Sequence, residues 1–209
     1  MPPLSSVVLA RRPLRAVLRD ELTERIITGQ IAPGARLNET DIARELGVSH
    51  TTLFNRFGSK EGLMLAALGP PAEIEWIAAL EAGPDERPIR EQLVAHAKVM
   101  SAYFRDLQAG LGVLQAAGID PSKAYRGRKG LSPPVQALRA LVGWLELAQS
   151  QGHIGRCDVA TLAATILGAL HGWAFTARVC GESTSPAANS RFVDDFIELL
   201  WNGIGDVKA

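Results

Sequence analysis

Apolar side chains recur along this chain at intervals of three and four, while alternation of period two never persists, so the pattern predicts helices and no sheet. Val17, Leu18, Leu22, Ile26 and Ile27 line one side of a first helix, predicted over about 15–28, which Gly29 ends. After a turn at 32–36, Asn38 is placed to cap a second helix over 39–46, with Asp41 in its first turn complementing the helix dipole. Gly47 stops that helix, because the residue after a helix often adopts the left-handed conformation that glycine tolerates. Ser49 caps a third helix, and Gly58-Ser59 separates it from a fourth that starts at Lys60.

Prolines punctuate the remainder. "GPP" (69–71) and "GPDERP" (83–88) flank a short helix containing Ile74, Trp76, Ile77 and Leu80. A long helix over about 89–109 carries Leu93, His96, Ala97, Met100, Phe104 and Leu107 at helical spacing, and "LGVLQAAG" forms a short helix of its own. "IDPSKAYRGRKGLSPP" is expected to be a loop. Three long helices follow, over about 135–149, 159–179 and 190–204. The expected architecture is all-α. A flexible arm (1–14) precedes a helix-turn-helix unit (15–68), and a larger helical domain (69–209) completes the chain.

Charge changes this picture little. Lys plus Arg equals Asp plus Glu at 22 each, and the two signs nearly balance before residue 69 as well. A nucleic-acid reader built this way needs a local basic face rather than a global field. Cys157 and Cys180 lack metal-ligand or redox spacing, and no secretory pattern opens the chain, so a reducing cytoplasm is expected. The most apolar stretch, "VATLAATILGALHGWAFTARV", is interrupted by Gly168, His171 and Gly172 and is not expected to span a membrane. No phosphate-cradling glycine loop, zinc-protease motif or nucleophile elbow occurs, so neither a catalytic residue nor a cofactor is expected. His96, His153 and His171 lack metal-like spacing, and no metal site is expected.

The stretch "ELGVSHTTLFNRFGSKEGL" (45–63) carries the sharpest chemistry. A helix-turn-helix holds two short helices at a fixed angle through apolar contacts and a tight turn, and it exposes polar side chains to a major groove about 12 Å wide. Here Ile42 and Ala43 face inward, Gly47 makes the turn, Val48 fills the corner, and Leu53 and Phe57 point back to the core. His50, Thr51, Thr52, Asn55 and Arg56 are left outside, able to reach base edges and phosphates. Lys60 adds positive charge beside the exposed N–H groups of a helix start, which suits a phosphate. The alternative is a plain helical hairpin whose polar face is only solvated.

"IARELGVSHTTLFNRFGSKEGLMLAAL" (42–68) resembles the DNA-binding unit of TetR-family regulators, through Ile42-Ala43, Gly47-Val48-Ser49, Thr52-Leu53-Phe54, Phe57-Gly58-Ser59-Lys60-Glu61 and Leu63. The resemblance implies that Ser49, Thr52, Phe54 and Lys60 meet the DNA backbone while His50, Thr51 and Asn55 face bases. Phe54 stands where tyrosine is commoner, and Thr51 where glycine is frequent. The preceding "LRDELTERIITGQIAPGARLNETDIARELGVS" (18–49) resembles the head of GntR-family regulators, through Gly29, Pro33, Gly34, Leu37 and Glu39. A GntR unit continues into a two-stranded wing, whereas here helical spacing follows, so the TetR-like reading is preferred.

That resemblance implies a homodimer formed by the last two long helices, a near-palindromic double-stranded DNA operator, and a small-molecule effector whose binding releases a repressor. Asn38 joins the residues expected at the DNA. Expected effector contacts are His96, Met100, Phe104, Leu114, Trp144, His171 and Phe175, with Leu107 and Leu145 nearby. Ordinary core packing is the competing reading for each of these. The basic loop bearing Lys123, Arg126, Arg128 and Lys129 could attract an anion, but a solvated loop is the default. A GntR-like regulator with a helical effector domain, a helical enzyme and an interaction protein without DNA remain the alternatives.

Overall fold

The structure, a computed structural model, describes residues 49–70, 74–124, 131–181 and 185–203, with isolated positions Val17, Asp20, Glu21, Glu24, Thr40, Ala43 and Arg44. The expected arm, Asn38, the corner at Gly47-Val48 and most of the first two predicted helices lie outside these residues. Val17 and Ala43, each assigned to a core face, are helical and buried. Among the described residues there are helices and no strands.

From His50 on, the described residues form seven α-helices in order: α1 (His50–Phe57), α2 (Lys60–Leu68), α3 (Glu75–Glu81), α4 (Ile89–Ala116), α5 (Pro133–Ser150), α6 (Val159–Val179) and α7 (Pro186–Asn202). A 3-10 turn, Pro121–Ala124, lies between α4 and α5. Two compact units result. The first comprises Met1–Pro71 with Asp106–Arg128, the second Ala72–Arg105 with Lys129–Ala209.

In the first unit Met64, Ala67 and Leu68 of α2 bury against Val113 and Leu114 of α4. The expected break between a long helix ending near Ala109 and a short one after it does not occur, and α4 runs on to Ala116. Gly110 is there for packing rather than for a break. A Cβ at that position would lie 2.4 Å from the Leu68 carbonyl oxygen, so only glycine lets α2 come this close.

The core of the second unit contains Leu80, Met100, Leu141, Trp144, Leu145, Ile166, Leu170 and Ile197, all almost fully buried. Each such side chain contributes about 1.5–3 kcal/mol through its removal from water. α5 packs against α3 and α6. α4 and α7 run antiparallel, tied by Arg90 to Glu198, by Lys98 to Asp194 at 2.8 Å, and by the buried Ser101 Oγ donating to Asn189 Oδ1 at 2.8 Å. The two ion pairs are exposed and contribute little, whereas the Ser101 bond satisfies polar atoms that would otherwise be buried alone.

Prolines shift two helix starts. α5 begins at Pro133 and α7 at Pro186, earlier than the expected 135 and 190, because proline fits the first turn, where its missing N–H has no partner to lose. Ser185 caps α7, its side chain accepting from the Ala188 N–H at 3.1 Å. Asp158 caps α6 by accepting from the Thr161 N–H at 2.6 Å, a bond that holds its carboxyl below the usual value.

By length and composition alone α6 is long and apolar enough to cross a membrane, a test that the core helix of a protein spanning none also passes. Two glycines and a histidine do not offset so many Ala, Leu and aromatic residues. Ala163, Ile166, Leu170, Ala174 and Ala177 form one buried face, while most of the helix is left uncovered. A Cβ on Gly168 or Gly172 would meet nothing, so neither glycine serves a close helix crossing inside the chain.

Candidate nucleic-acid interface

α1 is eight residues long, "HTTLFNRF", without an acidic side chain. His50, Thr51, Phe54 and Asn55 are exposed, and their spacing puts them on one outward stripe. Ser49, also exposed, immediately precedes the helix. Thr52 and Arg56 lie on the helix, but their side chains are outside the described residues, as is that of Leu53. Phe57 is half-buried at the helix end, on the side expected to face the core.

The turn after α1 is specified atom by atom. The Gly58 N–H donates to the Phe54 carbonyl at 2.7 Å, and Gly58 has a φ of 73°, in the region that favours glycine. Ser59 then caps α2, its hydroxyl accepting from the Gly62 N–H at 3.0 Å. A Cβ on Gly62 would lie 2.2 Å from the Phe57 carbonyl oxygen, so this second glycine lets the start of α2 seat against the end of α1. "FGSKEG" thereby fixes α1 to α2 through backbone geometry. Lys60 is half-buried at the first position of α2.

Lys123 has a role that sequence reasoning missed. Its Nζ meets Glu61 Oε1 at 2.7 Å, across 62 positions of sequence, within the first unit. The pair is exposed and contributes little to stability. Its effect is electrostatic: it offsets the one carboxylate next to Lys60. Spacing along the chain gave no signal for this contact. Arg126, Arg128 and Lys129 lie outside the described residues.

The expected effector residues divide between the units. Leu114 belongs to the core of the first, fully buried. Met100 and Trp144 are fully buried in the second, as is Leu145. His96 and Phe104 are half-buried there, His96 edge-on to Trp144 with ring centroids 5.3 Å apart, and Phe104 edge-on to His171 at 5.4 Å. Burial lowers the His96 pKa from its ordinary value, the nearby Arg87 charge lowers it further, and Asp85 opposes both. His171 and Phe175 are exposed, with Phe175 beneath the Arg178 guanidinium. Leu107 is half-buried in the part of α4 belonging to the first unit.

The fold has close counterparts of known structure. A TetR-family transcriptional regulator from Streptomyces coelicolor superposes with a TM-score of 0.55 at 24% identity, covering 88% of this chain and 98% of its own. A TetR-family regulator from Thermus thermophilus gives a TM-score of 0.54 at 18% identity, covering 90% and 99%. A third structure, described as the molecular basis for control of antibiotic production by a bacterial hormone, gives 0.59 at 20% identity, covering 91% and 98%. The chain has the TetR-regulator fold. No curated protein matches it in sequence. A family profile described as "Bacterial regulatory proteins, gntR family" matches residues 14–54. That likeness ends inside α1, and the residues that follow it here are the helix α2 of a TetR-type fold rather than strands of a wing.

Proposed function

We propose that this chain is a dimeric, DNA-binding transcription regulator whose larger unit holds a small-molecule effector. The observation that carries this reading is the outward stripe of α1, with His50, Thr51, Phe54 and Asn55 exposed on a helix free of acidic residues and seated against the capped start of α2. Histidine, hydroxyl and amide groups can read base edges, while Ser49, Phe54, Lys60 and the α2 N-terminus approach the phosphates.

One such helix reads too few base pairs for useful specificity, which favours two copies on a near-palindrome with recognition helices about 34–36 Å apart. α6 supplies the surface for pairing. Gly168, Gly172, Phe175 and Val179 recur at helical spacing along its uncovered side, and Leu199 and Trp201 of α7 are exposed too. Large apolar side chains left in water on consecutive helices mark a contact with another chain. An effector that binds one dimer conformation better than the other shifts the population away from the spacing that fits DNA, and repression relieved by ligand is the sign we assign. A structural neighbour described as the molecular basis for control of antibiotic production by a bacterial hormone is in keeping with that assignment. No catalytic role is assigned, and the work of the chain is cytoplasmic, on DNA.

Selection from a random duplex library by the full chain tests the proposal. Enrichment of a sequence with two-fold symmetry and one dimer per duplex is expected. A selection that enriches no sequence, from protein shown to be folded and dimeric, would sink it.

A further inference from the structure

Glu61 stands where two demands conflict. In the first turn of α2 a carboxylate complements the helix dipole, and it is the only acidic residue between His50 and Leu68. It also follows Lys60 directly, and the reading proposed above sets Lys60 against a DNA phosphate, which a neighbouring negative charge repels. Lys123 resolves the conflict, with its Nζ 2.7 Å from Glu61 Oε1.

The backbone carries Lys123 to this place, and the ion pair does not have to draw it there. α4 ends at Gly118, whose φ of 71° turns the chain, and the Ile119 N–H donates back to the Leu114 carbonyl at 2.9 Å. Ile119 packs against the cluster of Met64, Ala67, Leu68, Val113 and Leu114. Asp120 then fixes the 3-10 turn, accepting from the Ser122 N–H at 2.9 Å and from the Ser122 hydroxyl at 2.7 Å. That turn lies against α2 within the first unit. The segment therefore keeps its position without the pair, and an exposed pair adds little to stability. Its consequence is for charge at the start of α2.

We infer that Lys123 belongs to the DNA-binding surface although it lies outside the helix-turn-helix. It is a positioning residue that masks Glu61, so that a phosphate approaching Lys60 meets no bare carboxylate beside it. The inference rests on the DNA reading proposed above. The contribution is blind to sequence, because a masked charge acts on phosphates and leaves base edges untouched.

Anisotropy titrations of the full chain with the selected duplex and its scrambled counterpart test it, using Lys123→Met, Glu61→Gln, the double variant and Lys98→Met. Lys98 pairs with Asp194 in the second unit at similar exposure, so its variant makes the same change in net charge elsewhere. Lys123→Met is expected to weaken binding to both duplexes about threefold at low salt and less as salt rises, with its thermal midpoint nearly unchanged. Glu61→Gln should tighten both, the double variant should return close to wild type, and Lys98→Met should bind as wild type does. An undiminished affinity in Lys123→Met, a double variant as weak as Lys123→Met, or an equal loss in Lys98→Met overturns the inference, while wild-type binding leaves the DNA reading standing. A wild type that binds neither duplex defeats both.

Discussion

Alanine in place of Gly62 should destabilise the protein, although alanine is the better helix former. Propensity alone favours Ala over Gly in a helix by about 1 kcal/mol. Here the new methyl would lie 2.2 Å from the Phe57 carbonyl oxygen and 3.3 Å from its carbonyl carbon. A carbon–oxygen contact is comfortable at about 3.3 Å, so the start of α2 and the end of α1 must part by about 1 Å. No flexible side chain can yield. The obstacle is backbone, and the positive φ of Gly58 holds it in place. Overpacking costs about 1–3 kcal/mol, and an unyielding backbone obstacle this close belongs at the upper end, which leaves a net loss of about 2 kcal/mol after the propensity gain. For a chain of this length that lowers the midpoint of thermal unfolding by about 4–8 °C, read by far-UV circular dichroism. Gly143 in α5 is the control. A Cβ there would meet nothing, so Gly143→Ala should raise the midpoint, in keeping with a gain of about 0.4–1 kcal/mol. Because the strain falls between α1 and α2, Gly62→Ala should also weaken DNA binding, whereas Gly143→Ala should not. A Gly62→Ala protein that melts at or above the wild type and binds DNA equally well would refute the reasoning.

Other consequences are checked more briefly. Phe54 is 55% exposed on the outward stripe, so Phe54→Tyr should add a phosphate hydrogen bond and tighten operator binding by about 0.5–1.5 kcal/mol without changing the preferred sequence. Competition titrations against scrambled duplex would show it, and an unchanged affinity would place Phe54 away from the backbone. Phe175 and Val179, 44% and 64% exposed, can accept charge without disturbing the core, so Phe175→Glu with Val179→Asp should convert a dimer to a folded monomer in sedimentation experiments. A double variant that stays dimeric would move the interface off α6. Burial, with Arg87, holds the folded His96 below its ordinary value of 6.5. Its contribution to stability is then complete above about pH 6.5 and is lost as pH falls through the folded value, because the unfolded chain takes up the proton first. His96→Gln should flatten that part of the stability profile in urea unfolding between pH 7 and 5, and an unaltered slope would contradict the assignment.

What the sequence conveyed, and what it did not, follows from the range of the interactions involved. α6 begins and ends where its pattern said, since Asp158 caps it and apolar residues at helical spacing carry it to Val179. The start of α2 was equally plain, because Ser59 and Gly58 act on their immediate neighbours. Glycines and prolines misled wherever their role was tertiary or positional. Gly110 reads as a helix end until the Leu68 carbonyl opposite it is known. Pro133 and Pro186 read as loop until they are seen in first turns. The Lys123 pair with Glu61 and the edge contact of His96 with Trp144 join distant positions, and one-dimensional periodicity carries no trace of either. The candidate DNA face was legible because exposure on so short a helix follows directly from spacing. The candidate effector residues share periodicity with ordinary core, which is why Phe175 was grouped with Trp144 although one is exposed and the other buried.

The central claim is that α1 reads duplex DNA. Fluorescence anisotropy with the duplex recovered by selection, its scrambled counterpart and two salt concentrations addresses it most directly, using wild type, a Thr51→Ala, Asn55→Ala double variant and Lys60→Ala. Tight binding at one dimer per duplex is expected, falling steeply with salt. The double variant should lose discrimination between native and scrambled duplex, at about 1–3 kcal/mol per base contact removed, whereas Lys60→Ala should weaken both duplexes alike and lessen the salt dependence. Discrimination that persists undiminished in the double variant, with both proteins folded and dimeric, would contradict the account.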